Sequence, residues 1–261
     1  MYFLIILFSP EAIVYSPNEN FYRTPCSQDK PLPLPSLDDE PTLDLSVVIP
    51  AYNEEARLPP MLISTLSHLT SPNTPSRSFE IIIVDDGSSD NTEEVALSQT
   101  HVQYNSTSSG SGCEIRLVRL CKNKGKGAAV KHGFLHARGH HILMVDADGA
   151  SNFSDLEELW KEMDAIKRDG HAISVGSRAH LVGTNAVVKR SFVRNLLMHG
   201  FHFTLRTLGV GHIRDTQCGF KVTCSCFNSM LCLFMISSAI HPRQRQSTLS
   251  NHAHRSLDIR R

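Results

Sequence analysis

Two aspartates at the end of an apolar run are the residues of this sequence best suited to hold a metal ion. Asp146 and Asp148 follow the apolar run Ile142–Val145. If that run is a strand, side-chain alternation turns both carboxylates to the same side. Carboxylates held so close repel each other unless a hard cation such as Mg²⁺ or Mn²⁺ binds them, and that cation also binds phosphate. The pattern predicts a metal and phosphate site; the alternative is a turn closed by Gly149.

Polar clusters follow two further apolar runs. Tyr52 and Glu54 lie just after Leu45–Ile49, and Asp86 lies just after Glu80–Val84. Tyr52 offers a ring face to a nucleobase, Glu54 an acceptor to a ribose hydroxyl, and Asp86 an acceptor to a base N–H. Because the carboxyl ends of parallel strands meet at one sheet edge, we expect these clusters to converge with the aspartate pair. The alternative for each cluster is a turn leading into a helix.

A basic segment precedes the aspartate pair. Seven lysines and arginines and a single acid lie between Glu114 and His140. Within it, Lys122–Gly127 precedes a helical pattern, so its backbone N–H groups and Lys126 would attract phosphate or the edge of a nucleotide. The alternative is a solvated basic loop. Because Lys+Arg 26 balance Asp+Glu 26 over the whole chain, we expect a small polyanionic partner and no nucleic acid.

Two arginines near the end of the apolar pattern are candidate phosphate clamps. Arg178 follows the apolar run Ala172–Val175, and Arg214 lies with Gln217 and Lys221 in the segment 214–221, which is predicted to be a short loop. The planar guanidinium matches phosphate oxygens, which suits a pyrophosphate or an acceptor phosphate. The alternative is that both arginines are simply solvated.

The segments that must position these residues alternate between strand and helix patterns. Strands are predicted at Leu45–Ile49, Glu80–Val84, Ile115–Leu120, His141–Val145 and Ala172–Val175. Helices are predicted to start at Pro59-Pro60 and after Asn91-Thr92, Gly127 and Ser154. This alternation predicts an α/β fold, with a mostly parallel sheet flanked by helices. No strand or helix is predicted after Lys221.

Three parts of the chain differ in composition. Residues 1–42 are proline-rich and are expected to form an extended, disordered leader; residues 43–221 form the folded domain; residues 222–261 form a divergent tail. The apolar runs Met1–Phe8 and Leu231–Ile240 are shorter than the ~20 residues that span a bilayer. Seven cysteines without a C-x-x-C pair favour reducing surroundings and no disulfide framework.

Together these motifs resemble the inverting family 2 glycosyltransferases with a GT-A fold. The segments that carry the resemblance are Val48–Glu55, Val84–Ser88, Asn123–Gly127 and Asp146–Ala150. Gly176–Leu181 and Ile213–Lys221 narrow it to members that glucosylate dolichyl phosphate. The resemblance covers about residues 43–221 and implies a GT-A sheet that is incomplete at its C-terminal side.

The resemblance implies an activity and a set of site residues. It implies transfer of glucose from UDP-glucose to dolichyl phosphate with inversion, giving dolichyl β-D-glucosyl phosphate for protein N-glycosylation. It implies a Mg²⁺ or Mn²⁺ cofactor and membrane association at the cytosolic face of the endoplasmic reticulum. The residues implied to bind the nucleotide sugar are Pro50, Ala51, Tyr52, Glu54, Val84, Asp86, Lys126, Asp146, Ala147, Gln217 and Lys221. Those implied in catalysis are Asp148, Arg178 and Arg214, with Asp146 and Asp148 as metal ligands.

The sequence departs from the family at both ends. Members begin with a membrane-spanning helix and continue differently beyond Lys221, so we expect a truncated or alternatively spliced form with weak or absent transferase activity. Without an anchor, a cytoplasmic location is the alternative. Three other functions stay open: a dolichyl-phosphate mannosyltransferase-like enzyme, a non-catalytic nucleotide-sugar-binding fragment, and a phosphatase in which Asp146 attacks phosphate.

Overall fold

Apolar runs of the chain form the strands of a six-stranded sheet in the computed structural model. The structure describes residues 13–25, 27, 30–36, 39–98, 113–166, 173–176 and 218–224. The strands are β1 (Phe21–Tyr22), β2 (Leu32–Pro33), β3 (Leu43–Ala51), β4 (Phe79–Asp85), β5 (Cys113–Arg119), β6 (Gly139–Val145), β7 (Ile173–Val175) and β8 (Phe220–Cys224). The large sheet has the order β5-β4-β3-β6-β8-β7, and β1 and β2 pair separately.

Most of the sheet is parallel. Strands β5, β4, β3 and β6 run in one direction, whereas β8 is antiparallel to both of its neighbours, β6 and β7. The five predicted strands and the α/β class are confirmed. The prediction of a loop up to Lys221 with no strand beyond it was wrong, since Phe220–Cys224 is a strand. Its sequence alternates apolar residues (Phe220, Val222, Cys224) with polar ones (Lys221, Thr223), a pattern typical of a strand, although all five residues are buried.

Helices connect successive strands. They are α1 (Leu58–Leu69), α2 (Lys126–Leu135) and α3 (Leu156–Ile166), with a further helical segment at 92–98. All four lie where the sequence predicted helices. Pro59 and Pro60 lie in the first turn of α1, where a missing N–H leaves no hydrogen bond unmade. Within the described ranges, no helix combines the length and the apolar character needed to cross a bilayer.

The sheet is covered on both faces. Alternation along β3 sends Val47 and Ile49 toward α1 and α3, whereas Val48 faces α2, and all three are 0% exposed. The core therefore has a layer on each side of the sheet. The carboxyl-end edge of the parallel strands is left for the loops that carry the polar clusters.

The proline-rich leader packs on the domain over its described residues. Tyr22 is only 9% exposed and joins the core on the α2 face. Arg23 exchanges two backbone hydrogen bonds of 2.8 Å with Leu117 in the edge strand β5. The expectation of an extended, disordered leader is corrected for residues 13–25 and 30–36. Proline content predicted the lack of long helices, but the aromatic residues between the prolines provide buried contacts.

A buried ionic cluster lies toward the amino ends of β4 and β5. Glu80, which is 0% exposed, accepts hydrogen bonds from Ser46 at 2.6 Å and from the Arg138 guanidinium at 3.0 Å. The guanidinium of Arg116, 1% exposed, lies 3.0 Å from the same carboxylate. Each buried charge therefore has a charged partner, as burial requires.

A buried histidine makes folding stability depend on pH. His132 is 1% exposed, and its Nε2 lies 2.8 Å from the backbone oxygen of Glu19. Burial lowers the pKa of His132 to about 4. Below pH 6.5 the unfolded chain gains a proton that the folded chain excludes, so stability falls as the pH drops toward 4.

We predict that His132→Gln flattens this dependence. The histidine accounts for about 2 kcal/mol of stability lost between pH 7 and pH 5, whereas glutamine keeps the hydrogen-bond donor and does not titrate. Urea unfolding at both pH values measures the difference. His140→Gln replaces an exposed histidine and should follow the wild type. Equal pH slopes for wild type and His132→Gln would contradict the assignment.

Candidate active site

The turns that follow β3 and β4 hold each other in place. The backbone N–H of Asn53 donates to the Ser88 hydroxyl at 2.9 Å, and the Asn53 amide oxygen accepts from Ser89 N–H at 2.9 Å. The backbone N–H of Glu54 donates to the Thr92 hydroxyl at 2.8 Å. Asn53 adopts φ 55, a left-handed conformation that asparagine tolerates better than most residues. The first two predicted clusters therefore form one rigid unit.

The two aspartates after β4 differ in role. Asp85 is 0% exposed and accepts the Ser88 backbone N–H at 2.9 Å, while its burial raises its pKa. The Asp86 carboxylate accepts the backbone N–H groups of Lys124 at 2.7 Å and Gly125 at 2.9 Å, one on each oxygen. Asp85 therefore stabilises the turn, and Asp86 attaches the basic loop.

The basic loop lies tightly against the turn after β4, and a glycine makes this possible. Gly87 has φ 68, and a side chain there would begin 2.8 Å from the backbone carbon of Lys122. Only glycine fits both the conformation and the space. The loop is thus fixed against Asp86 by shape as well as by hydrogen bonds.

The same loop contacts the aspartate pair. Lys126 is the first residue of α2, and its Nζ lies 2.5 Å from Oδ1 of Asp146. Asp148 is exposed, and its Oδ1 accepts the Ala150 backbone N–H at 2.9 Å. Loop 122–127 therefore connects the second predicted cluster to the third.

The first and third clusters lie within electrostatic reach of each other. Burial raises the pKa of Glu54, and the partner Arg57 opposes that shift. The carboxylates of Asp148 and Asp146 raise the Glu54 pKa further. All three clusters therefore meet at one edge of the sheet, as the parallel strand order predicted.

The donor set fits a hard cation that is shared with a phosphate ligand. Across the described stretches, no group of three or more His, Cys, Asp or Glu side chains is arranged to hold a metal by itself. Asp146 and Asp148 provide two carboxylates, which leaves coordination positions for water and phosphate oxygens. Mg²⁺ is commonly bound in this way, by one or two carboxylates plus substrate phosphates.

Three predicted binding residues have their side chains in the core. Ala51, Val84 and Ala147 are 2%, 0% and 3% exposed. A ligand at the sheet edge can therefore meet only their main-chain atoms. Pro50 and Tyr52 are half-buried and lie at the carboxyl end of β3.

The C-terminal candidates are described only in part. Arg178, Arg214 and Gln217 lie outside the described residues. Lys221 is 3% exposed and lies in β8 opposite Met144 of β6. Its place in a strand, rather than in a polar loop, corrects the sequence interpretation of that segment.

The basic segment does not form one surface. Arg116 and Arg138 pair with buried Glu80 toward the amino ends of the strands, away from the aspartate pair. Lys124 pairs with a residue of the leader, and Lys126 contacts the aspartate pair. Counting cations in the sequence overestimated the positive charge available to a ligand, because several of these cations form ion pairs with residues that are distant in the sequence.

A cleft opens next to Asp148. Its volume is about 260 Å³, and it lies between the start of α1 and the loop after β6. Polar side chains on its wall include Arg57, Ser64 and Ser151. The cleft thus joins the carboxylate edge to a space that has hydroxyl groups and a guanidinium.

Gly219 is a site residue that the sequence reasoning did not single out. Its carbonyl accepts the Asp146 backbone N–H at 3.1 Å. A Cβ at position 219 would lie 2.1 Å from Oδ2 of Asp146, so the aspartate carboxylate occupies the space that a side chain would take. The available signal was a glycine directly before a strand, which often marks a close approach.

Comparison with known proteins identifies the family of this site. The model for Glycosyl transferase family 2 matches residues 46–224. Dolichyl-phosphate beta-glucosyltransferases are 47% identical over 199 residues in Drosophila melanogaster and 46% over 193 residues in Homo sapiens. These alignments cover 74% and 72% of this chain, but only 58% and 57% of the two relatives. The match gives no support to the phosphatase alternative.

Solved structures also match part of the chain. Glucosyl-3-phosphoglycerate synthase from Mycobacterium tuberculosis in complex with Mn²⁺, UDP-glucose and phosphoglyceric acid is 19% identical, with a TM-score of 0.47. The match covers 71% of this chain and 57% of that one. S. aureus TarS 1-349 in complex with UDP is 21% identical, with a TM-score of 0.38 over 57% of this chain and 38% of that one.

We predict that Gly219→Ala displaces the Asp146 carboxylate and thereby weakens binding of Mn²⁺ with UDP. The flexible side chain can rotate away, so the melting temperature should change by less than about 3 °C. Calorimetric titration with UDP and Mn²⁺ should show the same loss as in Asp146→Ala. Wild-type affinity in Gly219→Ala would show that the position of Asp146 does not matter.

Proposed function

The chain belongs to glycosyltransferase family 2, and from that premise we propose that it transfers glucose from UDP-glucose to dolichyl phosphate with inversion. The names of the relatives support the acceptor and the sugar. The observation that carries the proposal is the single loop that joins Asp86 to Asp146. The carboxylate proposed to read the base and the carboxylate proposed to bind phosphate are thereby attached to the same loop.

In this proposal the nucleotide lies along the sheet edge from Asp86 to the aspartate pair. Asp86 accepts the N–H of the uracil ring, and Tyr52 provides a face for the base. Glu54 accepts a ribose hydroxyl. Lys126 lies at the start of α2, where its positive charge can attract the diphosphate.

A divalent cation is part of the proposal. Asp146 and Asp148 would hold it together with diphosphate oxygens, and when bound it offsets negative charge on the departing UDP. The electrostatics around Glu54 support this assignment, since the negative charges of Asp146 and Asp148 raise the pKa of Glu54 and a bound cation would offset those charges. Lys126 can contribute positive charge at the same place.

The chemistry requires little from protein bases. An oxygen of dolichyl phosphate attacks the anomeric carbon of glucose, the bond from that carbon to the β-phosphate oxygen breaks, and UDP leaves with the electron pair. The second pKa of a phosphomonoester is near 6, so the nucleophile is anionic at neutral pH. Catalysis then rests on positioning and charge stabilisation. Arg178 and Arg214 are proposed clamps for the acceptor phosphate or the diphosphate.

The cleft next to Asp148 is the proposed place of the sugar. The hydroxyls of Ser64 and Ser151 on its wall can exchange hydrogen bonds with those of a hexose. Because dolichyl phosphate is a membrane lipid, we also propose that the protein works at the cytosolic face of the endoplasmic reticulum membrane. Fractionation of cells that express the chain would test that location.

We predict that Asp148→Asn removes the Mn²⁺-dependent part of UDP binding. The amide keeps an acceptor for the Ala150 N–H but lacks the charge that attracts the cation. Calorimetry should show UDP affinity at least about tenfold weaker with Mn²⁺ and little changed without it. Asp164→Asn, which changes an exposed acid in α3, is the matched control. If Mn²⁺ still strengthens UDP binding in Asp148→Asn, the assigned metal role is refuted.

A transfer assay tests the reaction itself. We predict that any product formed from dolichyl phosphate is the β-glucosyl phosphate and that UDP-glucose is used in preference to GDP-mannose. Preference for GDP-mannose would favour the mannosyltransferase alternative. Calorimetric binding of UDP-glucose with no product at any acceptor concentration would favour a non-catalytic binding module.

A further inference from the structure

The leader places a buried carboxylate behind the basic loop. We name residues 13–24 the N-terminal strap. Within it, Glu19 is 0% exposed, and its Oε1 accepts the Cys121 backbone N–H at 2.8 Å. Its Oε2 accepts the Ser16 backbone N–H at 2.6 Å and lies 2.5 Å from Nζ of Lys124. Because three donors bind this buried carboxylate, its orientation is fixed.

The basic loop is therefore held between two carboxylates. On one side Asp86 binds the backbone N–H groups of Lys124 and Gly125. On the other side Glu19 binds the Lys124 ammonium and the Cys121 N–H. Lys124 is bound by both, through its backbone on one side and its side chain on the other. Lys124 therefore links Glu19 of the strap to Asp86 in the turn after β4.

Other strap contacts fasten the same region. The Tyr15 hydroxyl donates to the Ala128 carbonyl in the first turn of α2 at 2.9 Å. The Lys124 ammonium lies 4.9 Å from the centre of the Tyr15 ring. His132, deeper in α2, contacts the backbone oxygen of Glu19. The strap thus holds the loop, the helix start and the helix body together.

The electrostatics agree with a charged Glu19. Burial alone would raise the pKa of its carboxyl, but the hydrogen bonds from Lys124, Cys121 and Ser16 outweigh burial and lower the pKa. Glu19 is therefore ionised at neutral pH, and so the Glu19–Lys124 contact is an ion pair. Because the pair is buried, loss of either charge leaves the other without compensation.

We propose that Glu19 is a positioning residue for recognition of the nucleobase, acting through the Lys122–Gly127 loop on Asp86. The inference rests on the proposed function, in which Asp86 reads the base. It assigns a role to a segment that lies before the residues matched by the family model. The strap would set the affinity for the base without touching the nucleotide.

Glu19→Gln tests this proposal with little change in shape. Oε1 can still accept from Cys121, whereas the new amide group faces two donors, the Ser16 N–H and the Lys124 ammonium. If the loop is then correctly placed only about a fifth of the time, the apparent dissociation constant for UDP rises about fivefold. Inorganic pyrophosphate with Mn²⁺ is the second probe. Because Lys126 lies at the end of the same loop, affinity for pyrophosphate should also fall, but by less than affinity for UDP.

Tyr22→Phe is the matched control for loosening the strap. It removes the hydrogen bond from the Tyr22 hydroxyl to Glu114, near the buried ionic cluster and away from the loop. Both variants should lower the melting temperature, Glu19→Gln by more, because it breaks an ion pair whereas Tyr22→Phe removes a single hydrogen bond. Only Glu19→Gln should weaken UDP binding, and a loss of UDP affinity in Tyr22→Phe as well would show a general effect of stability instead.

A double-mutant cycle with Asp86→Ala distinguishes failure of the strap inference from failure of the proposed base recognition. If Glu19 acts through Asp86, Glu19→Gln should have no further effect on UDP affinity once Asp86 is alanine. An equal effect in both backgrounds, or unchanged UDP affinity in Glu19→Gln alone, would overturn the role of the strap. If Asp86→Ala itself leaves UDP affinity unchanged, the proposed base recognition fails, and the strap inference fails with it.

Discussion

The site depends on the register of three parallel strands. Strand β3 pairs with β4 on one side and β6 on the other, so their carboxyl ends lie at one edge of the sheet. Residues almost a hundred positions apart in sequence, Tyr52 and Asp148, are thereby brought to the same edge. A one-residue slip in a strand would move its side chains to the opposite face and separate the clusters. The buried, apolar strands make that slip costly.

Charge balance is the second constraint on the site. Glu54, Asp146 and Asp148 influence one another at the sheet edge, and uncompensated carboxylates there would repel. Arg57 and Lys126 each pair with one of them. These two cations compensate the edge in part, and the remaining negative charge favours a divalent cation. In the proposed function, binding of a cation and binding of a diphosphate support each other, since each offsets the charge of the other.

The sequence predicted the elements better than their contacts. Apolar runs located five strands of the large sheet and the helices between them, because burial on both faces requires continuous apolar residues. Strand β8 was missed although its five residues alternate between apolar and polar, because they were divided between a polar stretch that ends at Lys221 and the divergent tail. The D-x-D and the turn after β4 could be found from local spacing. The contact of Gly219 with Asp146 could not, because it joins distant parts of the chain.

The leader shows why composition alone misjudged the N-terminal residues. Proline density predicts the absence of regular structure, and the described leader contains only a short 3-10 turn and two-residue strands. Absence of regular structure does not imply absence of packing, since Glu19 and Tyr22 are buried against the domain. Within loop 122–127, Lys124 pairs with the leader while Lys126 contacts the aspartate pair. Lys124 therefore stabilises the conformation of the loop, whereas Lys126 lies at the proposed ligand site. The sequence alone does not distinguish these two lysines, because their partners are distant in the chain.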